Sequence, residues 1–447
     1  MSKTIIHNAL LVNEGKKVET DILIDKGRIE KIGNQISENG SCVHVDLNGD
    51  YLLPGVIDDQ VHFREPGLTH KAQIATESRA ALKGGVTSFM EMPNVIPQTV
   101  SLEALEEKYA RGAADSAVNY SFYLGATNEN IEEVKRVSRE DVCGVKIFMG
   151  SSTGNMLVDK PAALEAIFSN SPTLVAVHCE CEDRVKERTQ ATLDAFGLQV
   201  PPSQHAVIRD DLACYLSSSQ AVELAKKHGT RLHILHLTSA LELDLFRNDI
   251  PLREKRITAE VCVHHLHFSD ADYERLGFLI KCNPAIKKES DRLALWMALL
   301  DNRLDVIATD HAPHTWEEKN TLDYTKAPSG LPLVQHSLPL MLEHAKWGDI
   351  TMERVVEKMS HAVADCYRMV DRGYVREGYW ADLVQVSSSS NTVNRADLAY
   401  KCAWSPLEGQ EFSHSIERVW VNGHLGFQDG QIDPHVRGQR LMFEARR

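Results

Sequence analysis

Between residues 55 and 346 short apolar runs rich in β-branched residues alternate with amphipathic stretches, eight times in succession. The strand-like runs fall near 55–62, 86–92, 120–125, 145–149, 174–178, 232–237, 257–264 and 305–308. Between and after them, helical patterns run near 71–83, 102–113, 131–138, 161–168, 217–228, 240–248, 291–302 and 332–346. Most of the strand-like runs are too apolar to have a wet face, as expected of parallel strands covered on both sides. Eight such units in a row predict a closed (β/α)8 barrel, a TIM barrel. An open doubly wound sheet is the competing arrangement, but it normally carries a glycine-rich turn after its first strand, and none is present here.

The ends of the chain follow another rhythm. Residues 1 to 53 hold short β signals such as Ile5-Ile6, Leu10-Leu11-Val12 and Asp21-Ile22-Leu23-Ile24, separated by turns at Gly15 and Asp25-Lys26-Gly27. Beyond residue 372 the β pattern returns in Ala381–Val386 and Ile416–Val421, with Asn422-Gly423 as a hairpin turn. The economical reading is three parts: 1–53 and 372–447 together build a small β-sandwich, and 54–371 forms the barrel.

Composition narrows the partners. The balance of 49 basic against 63 acidic residues gives a net charge of -14, which argues against a nucleic-acid or anionic-membrane surface while leaving room for a local anion pocket. No apolar run reaches the length of a membrane span. The nine cysteines are scattered without a C-x-x-C pair, and Cys179 and Cys181 are too close for an unstrained disulfide, which fits a reducing cytoplasm.

In barrels of this kind the reactive residues lie at the C-terminal ends of the strands. Read in order, those ends supply His62 and Arg64, then Met92-Pro93-Asn94, Lys146, His178, His236, and finally Thr309-Asp310-His311-Ala312-Pro313-His314. Alternation along the first strand places Gln60, His62 and Arg64 on one side. Singly, His178 or His236 reads as a core histidine and Asp310 as a helix cap. Lys146 lies inside an apolar strand and needs a partner, a lowered pKa or a covalent change of charge. Convergence of so many ligand-type residues at one mouth points to chemistry. His233, His264, His265, His267 and His311 are less well placed and read as structural or supporting groups.

The stretch from His62-Phe63-Arg64-Glu65-Pro66-Gly67 to Lys71 resembles the dihydroorotase family of the amidohydrolase superfamily. Gly84-Gly85-Val86-Thr87, Met92-Pro93-Asn94, Val177-His178, His236-Leu237-Thr238-Ser239, Thr309–His314 and Trp404-Ser405-Pro406-Leu407-Glu408-Gly409 carry the likeness through nearly the whole chain. The resemblance implies a divalent metal centre, usually zinc, held by His62, a carboxylated Lys146, His178, His236 and Asp310. It also implies Asp310 as general base and acid toward water and the leaving ring nitrogen, with Arg64, Asn94 and His314 holding a substrate carboxylate and Asn283 touching the ring. The implied reaction is reversible opening of dihydroorotate to N-carbamoyl-aspartate, and a homodimer is the assembly the family suggests. Segments 150–155 and 327–331 are expected to cover the site.

One departure stands out. The family pattern is histidine, one residue, histidine, and this chain has Gln60-Val61-His62. An amide oxygen is a poorer zinc ligand than imidazole. One metal on Lys146, His178 and His236 is therefore expected, with a second position weakened or lost. Two other readings follow: another cyclic amidase (allantoinase or dihydropyrimidinase), for which Arg64 has no evident use, and a catalytically impaired partner or scaffold, which Gln60 alone recommends.

Overall fold

The computed structural model describes residues 3–38, 41–150 and 156–444. Its barrel strands are Val56–Val61, Val86–Glu91, a third strand in two pieces (Asn119–Phe122 and Leu124–Gly125), Val145–Phe148, Val175–His178, Leu232–Ile234, Ile257–Cys262 and Val306–Ala308. Each pairs in parallel with the next, through Val56 opposite Val86, Ser88 opposite Asn119, Val145 opposite Leu124 and Val175, Leu232 opposite Val175 and Ile257, and Glu260 opposite Val306. The ring closes where Val61 bridges His311 in parallel and His62 N–H donates to His311 O at 2.7 Å. This is the closed (β/α)8 barrel. Its lower interior is filled by Ile57, Met90, Tyr123, Ala176 and Val306, against Tyr367, Met369, Leu441 and Phe443 from the later chain.

The helices are fixed by local chemistry as well as by packing. Ser101 caps Leu102–Asp115 by accepting from Ala104 N, and Asp210 caps Asp211–His228 by accepting from Ala213 N. Two expected elements differ, and one helix was not expected. The run 257–264 leaves the sheet at Cys262, and Val263–His267 turns into a short helix that folds His264 and His265 under the strand end. The expected helix at 240–248 is a 3₁₀ helix, Ala240–Leu245. The helix Glu182–Phe196 has no counterpart among the expected elements, because it is strongly polar and only Val185 and Thr192 of its fifteen residues are buried.

The two chain ends meet in one sheet of nine strands among the described residues, in which Tyr51–Pro54 pairs with both Lys3–Asn13 and Leu383–Ser387. The period-2 pattern sorts its side chains. Leu52, Leu383 and Trp420 join Ile6, Ile22, Ile24 and Ile29 in a core of their own, while Leu53, Val384, Val419 and Val421 pack into the barrel's outer core. The late chain also reaches the barrel directly. Trp404 Nε1 donates to His314 O at 2.8 Å, and Leu441 N–H donates to Tyr120 O at 2.9 Å.

Candidate metal centre and active site

Nine of the ten residues expected at the mouth, all but His314, line one open cavity of about 530 Å³: Gln60, His62, Arg64, Asn94, Lys146, His178, His236, Asn283 and Asp310. Phe148, Ala312, Ser329 and Gly330 complete its wall. Arg64, His236 and Asp310 all hold positive φ, at 66°, 40° and 46°, just where their strands stop. Such backbone costs of order 1–3 kcal/mol per residue and is tolerated where the surrounding structure enforces it, typically at functional sites.

The first strand departs from simple alternation. Its register against the second strand shifts between Asp58 and Val61, which is the mark of a bulge. Asp59 and Gln60 both turn inward as a result, Asp59 deeper and Gln60 at the cavity floor. Asp58 Oδ2 accepts from Thr309 Oγ1 at 2.6 Å and ties strand 1 to strand 8.

His178 and His236 form the tightest pair of donors. His178 Nδ1 stands 3.0 Å from His236 Nε2, and His178 Nε2 donates to Glu180 Oε2 at 3.0 Å. Glu180 is fully buried and paired with Arg209. Burial would raise its carboxyl, but Arg209 and the His178 hydrogen bond outweigh that and hold it down at about 2. Glu180 therefore fixes the His178 tautomer that leaves Nδ1 bare. His236 is pushed well below the usual histidine range by burial and by His178 and Lys146 beside it. Its backbone N–H donates to Glu260 Oε1 at 3.0 Å, which anchors the strained residue from below.

A second confrontation lies across the cavity. His62 Nδ1 donates to Asn94 Oδ1 at 2.8 Å, while its Nε2 faces Asp310 Oδ1 at 3.0 Å. Burial lowers His62, while the Asp310 carboxylate beside Nε2 pulls it back upward. Asp310 is also buried, which raises it, yet its hydrogen bond and charge contact with His62 bring it below the ordinary value. Gln60 Nε2 donates to the same Asp310 oxygen at 3.0 Å, and its Oε1 lies toward Cys262 Sγ at 3.9 Å. The amide thus serves as a donor to Asp310 and turns its oxygen away from the donor set.

These spacings fit a metal. Tetrahedral zinc with bonds near 2.0–2.2 Å holds neighbouring donors roughly 3.3 Å apart, and both confronting pairs lie close to that edge. Lys146 Nζ makes no hydrogen bond among the described residues and sits 4.7 Å from the Phe148 ring. Burial pushes its ammonium down to about 7.

The opposite wall is cationic. Arg64 Nε donates to Pro313 O at 3.1 Å, and Nη2 lies 3.1 Å from His314 Nε2. Burial lowers the guanidinium to about 10. His314 stands behind Arg64, not on the cavity wall. Its Nδ1 accepts from Lys71 Nζ at 3.0 Å, which leaves Nε2–H to donate to Ser329 O at 3.0 Å. Its place in the structure is to hold the loop through Ser329 while packing behind Arg64. Asn283 Oδ1 is buried without a hydrogen-bond partner.

The loop that carries Ser329 and Gly330 is stapled by two lysines. Lys319 Nζ donates to Pro328 O at 2.9 Å and Lys281 Nζ to Ala327 O at 2.7 Å. A Cβ on Gly330 (φ 140°) would meet Ala312 O at 2.3 Å, so only glycine lets this loop close over the wall. The other covering segment expected from the sequence, 150–155, falls outside the described residues except for Gly150. His311 is structural: Nε2 lies 2.9 Å from Glu77 Oε2, and Nδ1 accepts from Leu333 N and Val334 N.

A model of the amidohydrolase family matches residues 51–426. The chain belongs to the amidohydrolase family. This amidohydrolase is 34% identical over 396 residues to a dihydroorotase of Halobacterium salinarum, covering 87% of this chain and 89% of that one. It is also 30% identical to an allantoinase of Solibacter usitatus, covering 100% of this chain and 98% of the relative. Among solved structures, an L-hydantoinase (dihydropyrimidinase) from Arthrobacter aurescens superposes with a TM-score of 0.92 over 99% of this chain and 100% of that one, at 24% identity. That likeness concerns the fold.

Among the described residues, two further groups of ligand-type atoms lie outside the expected set. Cys262, His264 and His265 gather at the end of strand 7, and Asp59, His233 and Glu260 in the barrel interior, each with ligand atoms within 4.8 Å of one another. Glu180, Arg209, Asp59 and Glu260 were not singled out from the sequence. A carboxylate two residues past a candidate ligand, and one inside an apolar strand, were the available signals.

Proposed function

We propose that this amidohydrolase opens a cyclic amide that carries a carboxylate, and that dihydroorotate, yielding N-carbamoyl-aspartate, is its substrate. The observation that carries this reading is Arg64, a buried guanidinium on the same cavity as Lys146, His178, His236 and Asp310. An uncharged ring gives such a cation nothing to pair with. A planar guanidinium instead matches a carboxylate through paired hydrogen bonds. Nη1 makes no protein hydrogen bond among the described residues and is left for that role.

His178 Nδ1, His236 Nε2 and a carboxylated Lys146 would hold one divalent metal, zinc by the chemistry of the donors. His62 and Asp310 would form a second, weaker position in which Gln60 takes the place of an imidazole. A metal held by His178, His236 and Lys146 would supply Lewis acidity and lower the pKa of water toward about 7. Carboxylation joins the neutral Lys146 amine to carbon dioxide with loss of a proton, and converts a buried cation into an anionic ligand. Asp310 moves protons. Gln60 and His62 hold its Oδ1, and Oδ2 accepts no hydrogen bond among the described residues, so that oxygen takes a proton from the attacking water. It then returns the proton to the ring nitrogen as the C–N bond breaks. Arg64 holds the substrate carboxylate, with Asn94 and Asn283 beside it on the wall.

The test is a panel of dihydroorotate, allantoin, dihydrouracil and hydantoin with protein loaded with zinc and bicarbonate. The expected outcome is a kcat/KM for dihydroorotate well above the other three. Preference for an uncharged ring would assign the chain to another cyclic amidase, and no turnover of any ring would favour a non-catalytic role.

A further inference from the structure

The barrel interior directly beneath the mouth holds two carboxylates and an imidazole with no exposure to solvent: Asp59 of strand 1, His233 of strand 6 and Glu260 of strand 7. His233 Nε2 lies 3.3 Å from Asp59 Oδ2 and 3.6 Å from Glu260 Oε2. Neither Asp59 oxygen, nor Glu260 Oε2, nor His233 Nε2 makes a hydrogen bond. Among the described residues no lysine or arginine pairs with either acid; His233 is the one basic group within ion-pair reach. Two uncompensated carboxylates this deep are expensive, since buried charge is tolerated only when paired or bound to a metal.

The tautomer of His233 sharpens the problem. Its Nδ1 is 2.8 Å from Thr258 Oγ1, and that hydroxyl can donate to Leu232 O at 3.3 Å. Thr258 then accepts from Nδ1–H, so a neutral His233 aims the Nε2 lone pair at the two acids, and without an ion a proton on Nε2 has to join them. With His233 neutral, three electron-pair donors from three strands point at one another.

We propose that Asp59, His233 and Glu260 form a buried divalent-cation site of the zinc class, separate from the mouth, which ties strands 1, 6 and 7 together under His236. The donor distances of 3.3 and 3.6 Å match the edges of a tetrahedral site whose bonds are near 2.0–2.2 Å. Two carboxylates and a neutral imidazole balance a divalent charge, and Thr258 supplies the supporting bond that metal-binding imidazoles usually have. Glu260 links the two centres, because its other oxygen accepts from the backbone N–H of His236. The ion would be trapped as the barrel closes, coupling metal uptake to folding.

The test removes the mouth donors first. The Lys146→Ala, His178→Ala double variant is produced in zinc-supplemented medium, dialysed, and assayed for metal by mass spectrometry. One zinc per chain is expected, falling to near zero when Asp59→Asn is added, since Asp59 touches none of the mouth donors. A zinc-free double variant overturns the proposal, as does zinc that survives Asp59→Asn. Because a triple variant can also lose metal by misfolding, crystals of the unaltered chain at the zinc absorption edge provide an independent reading. An anomalous peak between Asp59 Oδ2, His233 Nε2 and Glu260 Oε2 is expected. Its absence would mean that a proton on His233, not a metal, joins the two acids.

Discussion

Arg64→Gln keeps a polar side chain on the cavity wall but removes its charge and its donor to Pro313 O. In the free protein the guanidinium is a buried cation without a carboxylate partner, and burial lowers it from 12.5 to about 10. That difference corresponds to a cost of about 3 kcal/mol, which an anionic ligand would relieve. Truncating one partner of a buried, hydrogen-bonded charge pair costs roughly 2–5 kcal/mol, so the two arguments agree on scale. The expected loss in kcat/KM for dihydroorotate is therefore roughly 100-fold or more. For dihydrouracil, which has the ring without the carboxylate, the same substitution is expected to change kcat/KM only a few-fold. Removing an unpaired buried charge also predicts a ligand-free Tm that is unchanged or higher. The assay is steady-state ring opening of both substrates by wild type and variant, with bound metal measured in parallel. An equal fall for both substrates with metal retained, or no fall for dihydroorotate, would refute the clamp.

Three further outcomes follow from the same geometry. Gln60→His restores an imidazole beside His62 and Asp310, and zinc bound at the mouth is expected to rise by one equivalent per chain in metal analysis; unchanged stoichiometry would show that Gln60 does not limit the second position. Glu180→Ala frees His178 and strands Arg209, so zinc affinity at the mouth should fall about 10–100-fold in competition titrations. In metal-free, bicarbonate-free protein, the buried Lys146 amine near 7 binds fewer protons than the unfolded chain up to 10.5. Stability should therefore rise with pH across that window, by up to about 1.4 kcal/mol per unit from this group, and denaturant titrations of Lys146→Met should lose that part of the slope.

Much of this was legible in the sequence because a parallel barrel strand must be apolar on both faces, so a polar residue at its C-terminal end is conspicuous. His178, His236 and Lys146 were found that way, and the cavity gathers them with His62 and Asp310. The bulge between Asp58 and Val61 was not legible, since strict alternation is the only local rule and the inserted residue breaks it. Alternation within 55–62 puts Asp59 on the side opposite Gln60, whereas it faces His233 in the interior. The role of His314 was also out of reach: Lys71, Ser329 and Arg64 meet its ring from three separate segments, a tertiary fact without local pattern. Glu260 and Glu180 lay in plain view as charges within or next to strands, where an unpaired carboxylate asks for a partner.

The most direct measurement is a crystal structure of the zinc- and bicarbonate-loaded protein with N-carbamoyl-aspartate or dihydroorotate bound. The account predicts zinc between His178 Nδ1, His236 Nε2 and a carboxylated Lys146, Asp310 against the reacting amide, and the ligand carboxylate in the fork of Arg64. Zinc on other residues, an unmodified Lys146 beside a bound metal, or a carboxylate directed away from Arg64 would contradict it.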